Sequence, residues 1–223
     1  NVGDNPVLLE KGLDIIVSET ERLSGMVEEL LDFSRMQNGK ITLVNEEIDL
    51  LYIIEHVYNI YKQKAINENQ NLSLDLNGNT DIRLVGDKDR IRQVIINILD
   101  NAMKYTPENG NISISVARIQ KYVKIIISDS GKGIPQKDLP HIKEKFYKAN
   151  KTIRGSGIGL AVADEIIKQH SGLLFIESTE GAGTTVTIVL PIYEPEEEIA
   201  PQEDEIPLSS VSENTSEETN EQM

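Results

Sequence analysis

The sequence predicts an α+β fold, a two-layer α/β sandwich preceded by a long bundle helix and followed by a disordered acidic tail. Three observations carry this. Residues 7–38 show unbroken helical periodicity. From residue 41 to 191, helical stretches alternate with short strand-like runs that read as hairpins rather than βαβ crossovers. Beyond Pro191, Glu, Pro, Ser, Thr and Asn dominate, and apolar residues are single and unspaced, so the segment cannot bury enough surface to offset its ordering entropy. The implied division is 1–40 (partial bundle), 41–192 (globular domain) and 193–223 (tail).

In the first helix, Leu9, Leu13, Ile16, Thr20, Leu23, Val27, Leu30 and Ser34 alternate spacings of four and three. This is a heptad seam suited to a bundle or coiled coil, and Asn38-Gly39 ends it. A short strand is predicted at 41–44. A helix follows at 50–66, with Ile53, Ile54, Val57, Ile60 and Tyr61 on its apolar side. Residues 72–76 and 82–85 alternate as strands. Asp87 opens a helix that must stop near Thr106-Pro107. Residues 112–116 and 123–128 form an antiparallel pair through Gln120-Lys121. A helix over 158–170 ends at Ser171-Gly172, and a hairpin of 173–178 with 184–191 turns at Glu180-Gly181-Ala182-Gly183.

The 223 residues allow one good core plus an appendage. Net charge is −15, but residues 193–223 hold eleven carboxylates and no Lys or Arg, leaving −4 for residues 1–192. A mildly acidic globular part gives no footprint for nucleic acid. The absence of cysteine excludes disulfides, thiolate metal sites and cysteine nucleophiles, and fits a reducing compartment. No apolar run approaches the roughly 18 residues of a membrane span and no signal peptide opens the chain, so the expected location is cytoplasmic.

Three elements suit a bound nucleotide. On the helix from Asp87, Gln93, Asn97, Asn101 and Lys104 share one face at spacings of four, four and three. An Asn oxygen can complete an octahedral Mg²⁺, and Lys neutralises phosphate; a solvated, amide-rich face is the plainer alternative. Asp129-Ser130-Gly131-Lys132-Gly133-Ile134-Pro135 follows a strongly apolar strand. A carboxylate there can accept from a ligand amine such as adenine N6, with glycines allowing close backbone approach, though Asp-Ser-Gly is also simply a good turn. Gly155-Ser156-Gly157-Ile158-Gly159-Leu160 opens a helix, where successive backbone N–H groups form an anion site. It is neither a Rossmann fingerprint nor a P-loop.

With these motifs, the chain resembles the C-terminal half of bacterial sensor histidine kinases of two-component systems, with the Bergerat-type (GHKL) ATP-binding fold shared with gyrase, Hsp90 and MutL. Residues 97–105 are similar to the family's N box, 129–135 to its G1 box, Lys145-Phe146-Tyr147-Lys148 to its F box, 155–160 to its G2 box, and Gly181-Ala182-Gly183-Thr184 to its last glycine motif. Residues 19–35 resemble the second helix of the dimerisation and histidine-phosphotransfer bundle. The resemblance implies ATP and Mg²⁺ as ligands, with Asn101 on the metal and Asn97, Lys104 and Lys148 at the reacting phosphates. Tyr105 would pack on adenine, Asp129 would bind its N6, and Gly131 and Gly133 would leave room for the base. Ile134, Tyr147, Gly155, Ser156, Gly157, Ile158, Gly159, Leu160 and Thr184 complete the implied nucleotide contacts. Residues 145–157 would form a short basic ATP lid.

Two departures stand out. Lys143 sits where the family commonly has Phe ahead of the F box. None of His56, His141 and His170 has the setting of the acceptor histidine, so the chain reads as a truncated kinase that begins inside the loop between the two bundle helices. The partners implied are a second kinase protomer and a response regulator, with membrane attachment only through upstream segments. ATPases and serine kinases of the fold carry Glu where this chain has Asn97, which disfavours both; a nucleotide-sensing scaffold is the non-enzymatic alternative. The fragment alone is expected not to phosphorylate itself.

Overall fold

The computed structural model describes residues 6–37, 43–149 and 156–193. It opens with helix α1 (Pro6–Gln37). The heptad seam finds no cover there: Leu9, Leu13, Ile16, Leu23, Val27 and Leu30 are all exposed. Gly25 and Met26 instead turn toward the body of the protein.

Strand β1 (Glu46–Asp49) leads into α2 (Leu50–Asn67), followed by β2 (Asn71–Asp75), β3 (Arg83–Gly86) and α3 (Lys88–Tyr105). Strands β4 (Asn111–Ile119) and β5 (Tyr122–Asp129) form a hairpin, α4 (Gly159–Gln169) follows, and β6 (Leu173–Thr179) pairs with β7 (Gly183–Pro191). The main sheet has the order β2-β4-β5-β7-β6, and β1 pairs with β3 in a separate two-stranded sheet. Helices α2, α3 and α4 pack side by side on the main sheet. Between the layers lies the core, with Ile54, Ile95 and Ile166 from the helices meeting Ile112, Ile125 and Ile188 from the strands. Leu173 and Phe175 of β6 are half exposed.

Three expectations need correction. The strand predicted at 41–44 lies instead at Glu46–Asp49; Ile41 and Thr42 fall outside the described residues, while Leu43 and Val44 have no regular structure. Pairing decides this, because Ile48 faces inward opposite Leu84 of β3 whereas Val44 is 71 % exposed. The connectivity is not hairpins alone. Strands β2 and β4 run parallel, so the chain crosses over between them through β3 and α3. Ile60, placed on the apolar side of α2, is exposed. The tail beyond Tyr193 lies outside the described residues.

Helix starts and stops follow from side-chain caps. Asp49 caps α2 by accepting from the Tyr52 N–H. Asp87 caps α3 through Arg90 N–H and also accepts from Val44 N–H, which holds the strand-entry segment against the helix start. The buried His170 joins the ends of α3 and α4: its Nε2 accepts from the Asp87 N–H at 2.9 Å, and its Nδ1 reaches the Ile166 carbonyl at 2.8 Å. Gly86 is required beside it, since a Cβ there would lie 2.5 Å from the imidazole. The buried Gln70 closes the other end of α3, donating to the carbonyls of Met103 and Thr106. Among the described residues, no helix is long and apolar enough to cross a membrane.

Because Asp87 serves two backbone donors from separate segments, Asp87→Ala should lower stability by about 1–2 kcal/mol. Urea unfolding followed by circular dichroism measures this; an unchanged midpoint would remove the cap from the account.

Candidate functional site

A cavity of about 610 Å³ opens between α3, the turn after β5, the start of α4 and the end of β7. Its α3 wall holds Asn97, Asn101, Lys104 and Tyr105, which the helix repeat places on one face. Asp129, Gly133 and Ile134 come from the end of β5 and its turn, with Thr184 beside them. Tyr147 and Lys148 approach from the segment before α4, and Ser156, Gly157, Gly159 and Leu160 from its start. Gly131 and Ile158 do not line the space. Ile158 is buried in the core at 2 % exposure, and Gly131 packs against Tyr105 backbone. Gly155 falls outside the described residues.

At one end of the cavity, the Asp129 carboxylate accepts from the N–H groups of Gly131 (2.8 Å) and Thr184 (3.3 Å). Burial pushes its carboxyl above the usual carboxylate range, and these two backbone donors only partly oppose the rise. The glycines around it serve the protein's own packing. At Gly133, with φ +65°, a Cβ would collide with the Thr179 carbonyl, and at Gly131 it would lie 2.5 Å from the Tyr105 carbonyl. Ser178 Oγ, in turn, accepts from Ile134 N–H and donates to the Gly183 carbonyl. The turn is thus pinned to both α3 and the β6–β7 hairpin.

Cations line the same cavity around Tyr105. The ammonium of Lys104 stands 5.3 Å from the Tyr105 ring centroid and that of Lys132 stands 4.9 Å from it. The Lys104 ammonium is held below the usual lysine range, chiefly by burial, then by Lys148, and also by Lys132, with Asp100 pulling the other way. Helix α4 begins at Ile158 without a side-chain cap and without an acidic residue in its first turn, so its first N–H groups and its dipole are left for an anion. The Asn97 amide donates to the Gly159 carbonyl at 3.1 Å and ties α3 to this start. The Asn101 amide has no hydrogen-bond partner among the described residues.

Sequence reasoning missed Lys132 and Asp100. Lys132 stood in the quoted turn, a charged residue between two glycines, but its place over Tyr105 depends on the close approach that puts Lys132 N–H on the Tyr105 carbonyl at 3.3 Å. Asp100 adjoins Asn101 and bonds Lys64 at 2.9 Å. The apolar wall of Ile142 and Ile176 was equally unforeseen. The three histidines lie as expected of structural or solvent groups: His56 stacks on Tyr52, His141 pairs with Glu144, and His170 is buried between helix ends.

Helices on one sheet face, with a carboxylate and a cation cluster in one cavity, define a nucleotide-binding ATPase-type domain. The model of the histidine kinase-, DNA gyrase B-, and HSP90-like ATPase domain matches residues 86–194. The chain belongs to the sensor histidine kinases of bacterial two-component systems. Sensor histidine kinase WalK of Bacillus subtilis is 31% identical over 204 residues, covering 87% of this chain and 33% of that protein. The chain therefore spans a minor part of such relatives. The catalytic domain of histidine kinase ThkA is 30% identical with a TM-score of 0.60, covering 66% of this chain and 95% of that one. A structure of ThkA in complex with response regulator protein TrrA is 28% identical with a TM-score of 0.69, covering 85% of this chain and 53% of that one.

The raised pKa of Asp129 fixes the sign of a stability effect. The native state holds this proton to higher pH than the unfolded chain does, so stability is lost as pH rises from the ordinary carboxylate range through the raised value. Asp129→Asn keeps an acceptor for both N–H groups and should stabilise the ligand-free protein at neutral pH. That gain should vanish near pH 3, where the aspartate is protonated in both states. Urea midpoints at the two pH values test this, and equal midpoints of variant and parent at neutral pH would contradict it.

Proposed function

We propose that this chain is the ATP-binding, phosphoryl-donor part of a protein-histidine kinase. It binds Mg-ATP in the cavity and passes the γ-phosphoryl group to a histidine of the dimerisation bundle, for relay to an aspartate of a response regulator. The observation that supports this reading is a single cavity lined both by a desolvated carboxylate, Asp129, and by Lys104, Lys132 and Lys148. Asp129 accepts from the exocyclic amine of adenine, and Tyr105 packs on the base. The lysines and the first N–H groups of α4 meet the phosphates.

Asn101 suits a magnesium ligand, because its amide lines the cavity with no protein partner among the described residues. Among those residues no cluster of three or more His, Asp or Glu side chains could hold a metal, so the cation would draw its remaining ligands from phosphate and water. Bound there, Mg²⁺ supplies neutralisation of phosphate charge. Catalysis then rests on positioning and charge, with Asn97 fixing the α4 start and Lys104 and Lys148 facing the transferred group. Asn97 cannot accept a proton from water or a hydroxyl, which argues against ATP hydrolysis and serine phosphorylation; a neutral imidazole nitrogen needs no such base.

The exposed seam of α1 supports pairing with a second protomer through a helical bundle. The solved ThkA–TrrA complex supports a response regulator as the other partner. The division into bundle helix, catalytic domain and tail at residues 40 and 192 is part of this proposal.

Two outcomes are expected. Lys132→Ala should weaken Mg-ATP binding about tenfold, the worth of one charge-assisted contact, with a smaller effect on adenosine; titration with a fluorescent ATP analogue and competitors measures both. Incubated with γ-labelled ATP, the chain should carry no acid-labile label but should label an added bundle segment bearing a histidine. Asn101→Asp should abolish that transfer by setting a carboxylate against the phosphates. Acid-labile label on the chain itself would mean that one of its own three histidines is the acceptor.

A further inference from the structure

The segment carrying Tyr147 and Lys148 is closed on itself at its base. Phe146 N–H donates to the Gly157 carbonyl at 3.0 Å, and Tyr147 hydroxyl donates to Asp138 at 2.7 Å. Just ahead of that base stands Lys143. Its ammonium donates to Asp164 Oδ1 on α4 at 2.6 Å and to the Leu174 carbonyl on β6 at 2.6 Å. The Asp164 side chain is only 12 % exposed, and its second oxygen takes Lys168 at 2.6 Å. Burial pushes the Asp164 carboxyl up, but hydrogen bonds and charge from Lys143 and Lys168 outweigh it and leave the group below the usual range.

One polar cluster thus joins three elements: the lid base, α4 and β6. An ion pair of which only the carboxylate is buried contributes little to stability by itself. What it adds is direction. The ammonium has two fixed acceptors, which set both the distance and the angle at which the segment leaves α4. The same helix, five residues earlier, presents Gly159 to the phosphate end of the cavity. Lys148, five residues after Lys143, faces that end from the other side.

We propose that Lys143 is a positioning residue: its pairing with Asp164 and the Leu174 carbonyl holds the lid base on α4 and so sets where Lys148 meets the terminal phosphate. The inference rests on the cavity being an ATP site. Because only ATP carries the terminal phosphate that Lys148 meets, the effect separates ATP from ADP.

The experiment compares Mg-ATP and Mg-ADP affinities of the full chain by titration calorimetry. Lys143→Met should weaken ATP about tenfold, a typical coupling between linked sites, while ADP changes less than about twofold, within the scatter of uncoupled sites. Asp164→Asn should lower the ATP-to-ADP preference in the same direction, and Lys143→Arg should restore most of it. Should Lys143→Met fail to fold, the Asn and Arg variants decide the matter by the same ratio. Equal losses for both nucleotides, or no loss in either variant, would reduce Lys143 to a structural tie and overturn the proposal. A parent chain that binds neither nucleotide would refute the ATP site itself, and this inference with it.

Discussion

The molecule is organised around the anchoring of one carboxylate. Asp129 ends β5, in register with Ile112 of β4 and Thr184 of β7, so its position is set by two strand pairings at once. Slipping either strand by one residue would turn it to the other face of the sheet. Its Oδ1 accepts from backbone N–H groups of the turn and of β7. Neither donor could come this near without glycine alongside. Gly183, at φ +106°, lies so tight on the Asp129 backbone that no Cβ fits, and Gly131 is equally tight on Tyr105. The end of α3, the turn and the last hairpin are therefore fixed by the same few atoms. A desolvated acid is costly, and a carboxyl held above its usual range at a cavity wall is the mark of a functional site.

The cation end follows the same logic with opposite sign. Lys104, Lys132 and Lys148 come from segments far apart in sequence, and burial together with repulsion from Lys148 and Lys132 lowers the proton affinity of Lys104. Asp100, which offsets some of this, is itself shared with Lys64. The uncapped start of α4 adds a further positive end. Such an arrangement lowers the stability of the empty protein and is relieved by a polyanion, so the cavity is preorganised at the expense of the fold.

What the sequence made legible was local. Caps at Asp49 and Asp87 mark helix starts, the apolar repeats mark faces, and glycines mark turns; each depends on residues within a few positions of one another. The fold class and most of the cavity wall were read from such signals. The parallel pairing of β2 with β4 was not, because nothing near residue 72 encodes its neighbour at residue 112, and only the crossover through α3 brings them together. The place of β1 was misjudged for the same reason, since its partner is β3, nearly forty residues on. Lys132 was visible as a residue but not as a wall of the site. Its role comes from the approach of one turn to the end of one helix. Lys143 is the sharper case. In the sequence it was a departure from the aromatic residue common in the family, whereas in three dimensions a buried carboxylate on α4 answers it.

That substitution bears on how rigidity is distributed. The Asp129 wall of the cavity is built from strand register and backbone contacts, which do not yield without breaking the sheet. The described residues just before Lys148 are held instead by a few polar links. Helix α1 stands between these extremes, lining the cavity with Gly25 and Met26 while its apolar seam stays uncovered. Any surface that buries that seam must come up against a helix already touching the cavity. A partner packed on that seam and a ligand in the cavity would then touch the same helix, so their binding would be coupled. The Asp129 wall, fixed by strand register, is set without reference to α1.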